Sequence, residues 1–352
     1  MLLLAACSTA TPAATGSGDN VGLGTPPPTL QPGTVLRTAQ PSVWGQFGLT
    51  GSLVLIEFNP DGNRLFSLNL VSGAMTLLYQ APQRSLLTGA AVSPDGKQIV
   101  LVYAPPPPPD GTFTLSNLYL MPSDGSSLPK SLIPSATAND GFYNAIWAPD
   151  GRSIYSSHFH QGDTQQGTSD QYSIDRITLN GQVTPVIQNA IWPVISPDAT
   201  RISYLTASSA TTTNNLYIAN IDGSNPSPVI PVSAFTSVDA HLFTLDGKSL
   251  IFSAVNPTAS IPPFTSWLEK LFGVSVASAH NVPSDWYEQN RGGGSPVRLT
   301  QVADTGMNAS LSPDGKNMAF VGSQGLYDYN IASGKTQMLS TLEVVGTVSW
   351  LP

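Results

Sequence analysis

Short runs of apolar or alternating residues, separated by polar clusters rich in glycine, proline, asparagine and aspartate, recur along most of the chain. Such runs are typical of β-strands joined by turns. Several of them directly follow a turn cluster, at 98–103, 153–155, 201–205, 249–252 and 317–321. Another strand comes next, for example at 117–121 and 215–219, before a second turn and a polar outer strand. The pattern predicts an all-β chain built from four-stranded units.

One turn phrase introduces most of these units: SPDGK from Ser93, APDGR from Ala148, SPDAT from Ser196, TLDGK from Thr244 and SPDGK from Ser312. Proline presets the backbone at the second turn position, and aspartate can hydrogen-bond the backbone ahead of it. Glycine adopts the left-handed conformation that closes a hairpin. We therefore interpret the repeated aspartates as turn formers rather than catalytic groups.

The phrase recurs at intervals of about 50 to 70 residues, which suits a propeller blade with loops of variable length. A similar phrase at 58–62 lies one turn later, so the first unit lacks its innermost strand. The last residues, 346–352, match the strand that precedes the phrase elsewhere, as at 144–149. We predict a six-bladed β-propeller of four-stranded antiparallel blades over 43–352, closed by the C-terminal strand, which completes the first blade.

The combination of SPDGK, an apolar strand and LYIANIDGSNPSPVI at 216–230 resembles the repeat of TolB-type β-propellers, over roughly 48–352. The resemblance implies a propeller fold, an extracytoplasmic location and protein recognition without catalysis. Ahead of the propeller the chain differs from that family, because a polar segment stands where the family has a separate α/β domain. Propellers host binding proteins, scaffolds and enzymes, so the fold alone does not fix the function.

The N-terminal segment 1–7 ends in LLAAC, which resembles the cleavage site of a bacterial lipoprotein signal peptide. Cys7 is the only cysteine in the chain, and it is the residue that would carry the lipid. Only six residues precede it, fewer than a signal peptide needs, so either the true start lies upstream or the motif is coincidental. The segment 8–42, rich in Ser, Thr, Gly and Pro, predicts a disordered tether and favours lipidation.

Charged residues make up 10% of the chain, and the net charge is −8 with 14 basic residues. A chain of this kind lacks the basic surface that binds nucleic acid or acidic lipid headgroups. We expect a monomer that needs no cofactor and touches a bacterial membrane only through the lipid. Its partner would be an envelope protein, a peptide or a glycan.

Motifs for nucleophilic hydrolysis, phosphate binding and zinc proteolysis are absent from the sequence. His158 and His160 would share one face of an extended strand, with Asp163 and Asp170 nearby, and both imidazoles could meet one metal ion or one anionic ligand. The alternative is that both histidines are solvated loop residues, and we assign no metal site from the sequence. His241 lies in a predicted innermost strand, where it would face the central channel.

Two insertions interrupt the repeats. The insertion 256–284, in the fifth blade, contains a predicted short amphipathic helix at 265–273, whose apolar face either packs on the rim or contacts a partner or a membrane interface. Five consecutive prolines from Pro105 predict a polyproline II segment, which is either a recognition arm or a rigid loop. The candidate partner-binding residues are Pro105, Pro107, Pro109, Trp267, Leu268, Leu271 and Phe272.

Two classes of function fit these observations. The first is a lipid-anchored, non-catalytic binding module at the cell envelope. The second is an envelope hydrolase or lyase with a metal-assisted site in the propeller channel, held by His158, His160 and nearby carboxylates. The predicted inner strands supply few acids and bases, which favours the binding module. A structural or sensory module is a third possibility.

Overall fold

The computed structural model describes residues 31–38, 48–109, 114–163, 165–207, 215–232, 234–255 and 282–351. These residues form 25 β-strands and no helix. The strands belong to six antiparallel sheets, five of four strands and one of five. Within the described ranges, no helix has the length and apolar character that a membrane crossing requires. The predicted all-β, six-bladed propeller is confirmed.

The first three blades are given from the innermost strand outward. Blade one contains β25 (Val344–Leu351), β2 (Ser52–Glu57), β3 (Arg64–Asn69) and β4 (Ala74–Gln80), with β1 (Val35–Thr38) outside them. Blade two contains β5 (Leu86–Val92), β6 (Gln98–Ala104), β7 (Asn117–Pro122) and β8 (Lys130–Ser131). Blade three contains β9 (Asp140–Trp147), β10 (Ser153–His160), β11 (Gln171–Thr178) and β12 (Val183–Gln188).

The other three blades repeat this order. Blade four contains β13 (Ala190–Ile195), β14 (Arg201–Thr206), β15 (Leu216–Asn220) and β16 (Ser227–Pro228). Blade five contains β17 (Ser237–Phe243), β18 (Ser249–Val255), β19 (Asp285–Asn290) and β20 (Val297–Arg298). Blade six contains β21 (Asn308–Leu311), β22 (Asn317–Gly322), β23 (Gly325–Asn330) and β24 (Lys335–Ser340).

The C-terminal strand closes the ring as predicted, because β25 is the innermost strand of blade one and pairs with β2. Its Trp350 is almost fully buried and lies opposite Leu53. The Trp350 indole donates a hydrogen bond to the Thr50 carbonyl at 3.1 Å, and its backbone N–H donates to Ser310 Oγ of blade six. The last strand therefore joins blade one to blade six.

The N-terminal boundary of the propeller differs from the sequence prediction, which placed residues 8–42 in a tether. Val35–Thr38 instead form β1, the outermost strand of blade one, paired with β4. The Leu77 N–H donates to the Thr34 carbonyl at 2.9 Å, and Leu36 packs against the buried cluster between blades one and six. Pairing with an open sheet edge supplies hydrogen bonds that the local sequence pattern does not reveal. Residues 8–30 and 39–42 of the predicted tether, and Cys7, lie outside the described residues.

Apolar side chains fill the six seams between neighbouring blades. Each of six buried clusters draws residues from two adjacent blades, for example Phe66 and Val321 between blades one and six. Phe142 of blade three packs with Val102 of blade two in the same way. This sheet-to-sheet packing holds the ring together, because Cys7 is the only cysteine and no disulfide can form within the chain.

The repeated turn phrase is stabilised by its own side chains. In blade two, Asp95 Oδ1 accepts hydrogen bonds from Ser93 Oγ at 2.7 Å and from the Lys97 N–H at 3.1 Å. Ser93 Oγ also accepts from the Gln98 N–H at 2.9 Å, and Gly96 has a φ of 71°. The same bonds recur at Ser196, Thr244 and Ser312. The aspartates are turn formers, as predicted, and the leading hydroxyl is a second determinant of the turn.

Candidate functional site

The two faces of the ring are built from different connections. One face carries the turns that join first to second strands and third to fourth strands, including the five turn phrases that begin at Ser93, Ala148, Ser196, Thr244 and Ser312. The other face carries the connections from second to third strands. It also carries the connections from the last strand of one blade to the first strand of the next. We call these the turn face and the long-connection face. Connections at 105–116, 161–170, 207–215 and 256–284 leave and re-enter the sheets on the long-connection face.

The predicted partner-binding prolines lie on the long-connection face. Pro105 and Pro107 are half-buried, whereas Pro109 is exposed. The connection that they begin returns to the sheet at Ser116, whose carbonyl accepts a hydrogen bond from the Phe142 N–H of blade three at 2.8 Å. The remaining candidates, Trp267, Leu268, Leu271 and Phe272, lie outside the described residues. The strands that flank them, β18 and β19, end and begin on this same face.

The structure places His158 and His160 in the last three positions of β10, not in a loop. They lie opposite Phe142 and Asp140 of β9, so both imidazoles lie on the same side of the blade as the Asp140 carboxylate. The His158 ring stacks on Phe142, with ring centroids 4.5 Å apart. Because Phe142 packs against blade two, this cluster lies at the seam between blades two and three, on the long-connection face.

Asp140 joins the two histidines. Its Oδ1 atom lies 3.1 Å from His158 Nε2 and 2.7 Å from His160 Nδ1. The other carboxylate oxygen, Oδ2, accepts hydrogen bonds from the N–H and the hydroxyl of Thr137, at 2.8 and 2.7 Å. Partial burial opposes ionisation of Asp140, but the bonds from His160 and Thr137 outweigh it and hold the pKa of this carboxyl below its ordinary value.

A second carboxylate lies behind His158. Asp175 Oδ2 is 2.7 Å from His158 Nδ1, and Asp175 Oδ1 accepts a hydrogen bond from Ser173 Oγ at 2.6 Å. Burial lowers the pKa of His158, but the bond to Asp175 and the charges of Asp175 and Asp140 outweigh burial and raise it. His158 is therefore held between two carboxylates.

Asp163, the carboxylate that the sequence suggested, does not join the histidines. Its Oδ1 accepts hydrogen bonds from the backbone N–H groups of Gln165 and Gln166, at 2.8 and 3.3 Å. It therefore stabilises its own loop. Among the described residues, the group with metal-ligating atoms in mutual reach is Asp140, His158 and His160. Asp140 was missed because it is distant in sequence, and only the pairing of β9 with β10 brings it opposite His160.

His241 lies in β17, the innermost strand of blade five, where the sequence placed it. Its ring is buried, and neither ring nitrogen has a hydrogen-bond partner of ordinary geometry. Burial lowers the pKa of His241 to about 4, against a smaller opposing effect of the nearby Ser203 and Asp239 backbone. The imidazole is therefore neutral at neutral pH.

Comparison with solved structures identifies the class of fold. The chain is similar to TolB from Acinetobacter baumannii, with a TM-score of 0.59 and 14% identity over 86% of this chain and 67% of that one. It is also similar to a chain of a nidogen/laminin complex, with a TM-score of 0.58 and 10% identity over 86% of this chain and 98% of that one. It is also similar to an oligogalacturonate lyase in complex with manganese, with a TM-score of 0.54 and 15% identity over 89% of this chain and 86% of that one.

These likenesses show the fold, a six-bladed propeller, and no more at such low identity. More narrowly, the protein has a TolB-like propeller fold, as the repeat phrase suggested. No protein-family model matches the chain, and no curated protein does so either. The neighbours include an enzyme as well as TolB, so the fold is compatible with binding and with catalysis.

Proposed function

We propose that this protein is a non-catalytic binding module, held at a bacterial cell envelope by lipid on Cys7, which captures a protein, peptide or glycan on its long-connection face. The observation that carries the proposal is the division of the ring into two unlike faces. Repeated tight turns form the turn face, whereas the unrepeated connections leave the sheets on the long-connection face. Recognition residues are found mainly on such variable loops, supported by a rigid scaffold.

The polyproline connection is suited to recognition. A polyproline segment is stiff before it binds, so little conformational entropy is lost when a partner docks on it. At its far end, the hydrogen bond from Phe142 to Ser116 joins the connection to blade three. The exposed Phe58 lies on the same face, between β2 and β3, and offers an aromatic contact. The envelope location rests on the resemblance of the repeats to TolB-type propellers and on the LLAAC motif.

The test is affinity capture from detergent-solubilised bacterial envelope, followed by mass spectrometry. One variant replaces residues 105–109 with a Gly/Ser segment of equal length, and a second combines Trp267→Ala with Phe272→Ala. A control variant carries Val71→Ser and Leu128→Ser, which remove two of the most exposed apolar side chains of the turn face. We expect the control to retain the partner and at least one of the other variants to lose it at least ten-fold. Loss of the partner in the control alone would move the binding surface to the turn face and contradict the proposal.

The alternative, an envelope hydrolase or lyase, is favoured by one observation, the cluster of Asp140, His158 and His160. The comparison with the manganese-bound lyase suggests oligogalacturonate as the first substrate to assay, in the presence of Mn²⁺. The binding-module proposal predicts no turnover. Turnover that disappears in His160→Gln would replace the proposal with the enzyme.

A further inference from the structure

We propose that Asp140, His158 and His160 form a binding site for one divalent transition-metal ion of the zinc class. Each of the three residues offers one ligand atom, and these atoms all lie within 4.8 Å of one another. Asp140 Oδ1 faces both His158 Nε2 and His160 Nδ1. Ligand atoms around a tetrahedral zinc ion, with bonds of about 2.0–2.1 Å, lie roughly 3.3 Å apart. The observed separations of 3.1 and 2.7 Å from Asp140 Oδ1 are slightly shorter than this, so small movements of the two rings away from Asp140 bring both nitrogens to that spacing from the carboxylate oxygen.

The environment of His158 directs its Nε2 atom at Asp140 Oδ1, 3.1 Å away, where a cation can replace the proton that this nitrogen otherwise carries. Asp175 is buried and lies on the Nδ1 side of the ring, where a carboxylate accepts the Nδ1–H. The lone pair of Nε2 then points toward Asp140. This arrangement of carboxylate, histidine and ligand site is the one by which proteins orient metal-binding imidazoles. Ser173 in turn holds Asp175 in place.

Asp140 is oriented in a similar manner. The Thr137 N–H and hydroxyl both bind Oδ2, which directs Oδ1 toward the two imidazoles. Two ring nitrogens thus approach a single carboxylate oxygen. Without a metal, each nitrogen must carry its own proton to avoid facing another acceptor. One metal ion satisfies all three atoms at once.

Access to the site is open on one side. The side chain of His160 is 47% exposed, whereas those of His158 and Asp140 are 20% and 15% exposed. An ion can therefore enter past His160, and a coordination position remains for water or for a ligand atom. Two imidazoles and one carboxylate suit zinc-class ions better than Ca²⁺ or Mg²⁺, which prefer oxygen ligands.

The test is calorimetric titration of chelator-treated full-length protein with Zn²⁺, Mn²⁺ and Ca²⁺. We expect one equivalent of Zn²⁺ to bind, Mn²⁺ to bind more weakly and Ca²⁺ not to bind. His160→Gln removes a half-exposed ligand and is expected to weaken Zn²⁺ binding more than ten-fold while leaving the circular dichroism spectrum unchanged. Asp175→Asn, which changes the hydrogen-bond partner of His158 Nδ1, is expected to weaken Zn²⁺ binding by about 10- to 100-fold.

The matched control is Asp163→Asn, which keeps the loop-stabilising acceptor and removes the nearby charge. We expect it to bind Zn²⁺ as the unaltered protein does. Cobalt gives a second readout, because a tetrahedral Co²⁺ complex has a visible absorption band that should vanish in His160→Gln. The proposal is overturned if the unaltered protein binds no Zn²⁺, or if His160→Gln and Asp163→Asn have equal affinity. This site does not depend on the proposed partner, and neither experiment requires the other to succeed.

Discussion

The buried imidazole of His241 makes the stability of the propeller sensitive to acid. In the folded protein, burial lowers the pKa of His241 to about 4, whereas the ordinary value is 6.5. As the pH falls below 6.5, the unfolded chain takes up a proton at this position and the folded chain does not. The contribution of His241 to stability is therefore unchanged above pH 6.5 and becomes progressively destabilising as the pH falls toward 4.

The size of the effect follows from the difference between the two pKa values. Each unit corresponds to about 1.4 kcal/mol, so His241 should cost the folded state about 3 kcal/mol between pH 7 and pH 4. The ring is fully buried, so solvent does not screen this cost. The charge that acts on it most closely is that of Asp239, on the same strand.

The substitution His241→Leu isolates the contribution of this imidazole. Leucine has no ionisable group, and it also removes two buried nitrogens that lack hydrogen-bond partners. At pH 7 we expect the variant to be at least as stable as the unaltered protein. Below pH 6.5 the free-energy difference should grow in favour of the variant, by about 3 kcal/mol at pH 4.

The assay is urea unfolding of both proteins at several pH values between 7 and 4, followed by tryptophan fluorescence. Other titrating groups, including His158, occur in both proteins and largely cancel in the difference. If the free energies of unfolding of the two proteins ran parallel from pH 7 to pH 4, the prediction would be wrong, because His241 would then take up its proton equally in the folded and unfolded states.

Two further predictions concern the ring and its turns. Trp350→Ala should lower the free energy of unfolding by about 3–5 kcal/mol, because it leaves a cavity beside Leu53 and breaks the bond to Thr50; a loss below about 1 kcal/mol in urea unfolding would contradict closure by β25. Ser93→Ala should cost about 1–2 kcal/mol, because it removes the bonds to Asp95 and Gln98. The converse change, Ala148→Ser, should add the same two hydrogen bonds to the turn at Asp150 and raise the urea midpoint of unfolding. An unchanged midpoint would show that the serine hydroxyl does not stabilise this turn.

Most of the fold can be predicted from the sequence because short sequence motifs determine its hairpins. Within the turn phrase, the hydroxyl, the proline, the aspartate and the glycine each fix one feature of the hairpin. The phrase occurs five times, with the aspartate in every copy and each of the other three groups in four of the five. The match between 346–352 and 144–149 was sufficient to predict closure by β25. In contrast, β1 is stabilised by pairing with β4 and by the packing of Leu36, and neither contact has a signature in the local pattern.

The candidate metal site was predicted only in part, for a related reason. Two histidines at alternate strand positions are visible in the sequence, and they do share a face. Their carboxylate partners depend on strand register. Asp140 and Asp175 come from the two strands on either side of β10, whereas Asp163, which is nearest in sequence, binds its own loop. Proximity along the chain misleads wherever a loop can satisfy its own side chains.

Both ends of the described chain lie in blade one, at its two opposite edges. The C-terminal strand β25 is the innermost strand of that blade, and β1 is its outermost strand. The chain therefore enters the propeller at the outer circumference rather than through the channel. The strand β1 lies in blade one, whereas the histidine cluster lies between blades two and three. The proposed lipid anchor on Cys7 and the proposed metal site would therefore not compete for the same part of the ring, because β1 does not cover the seam between blades two and three.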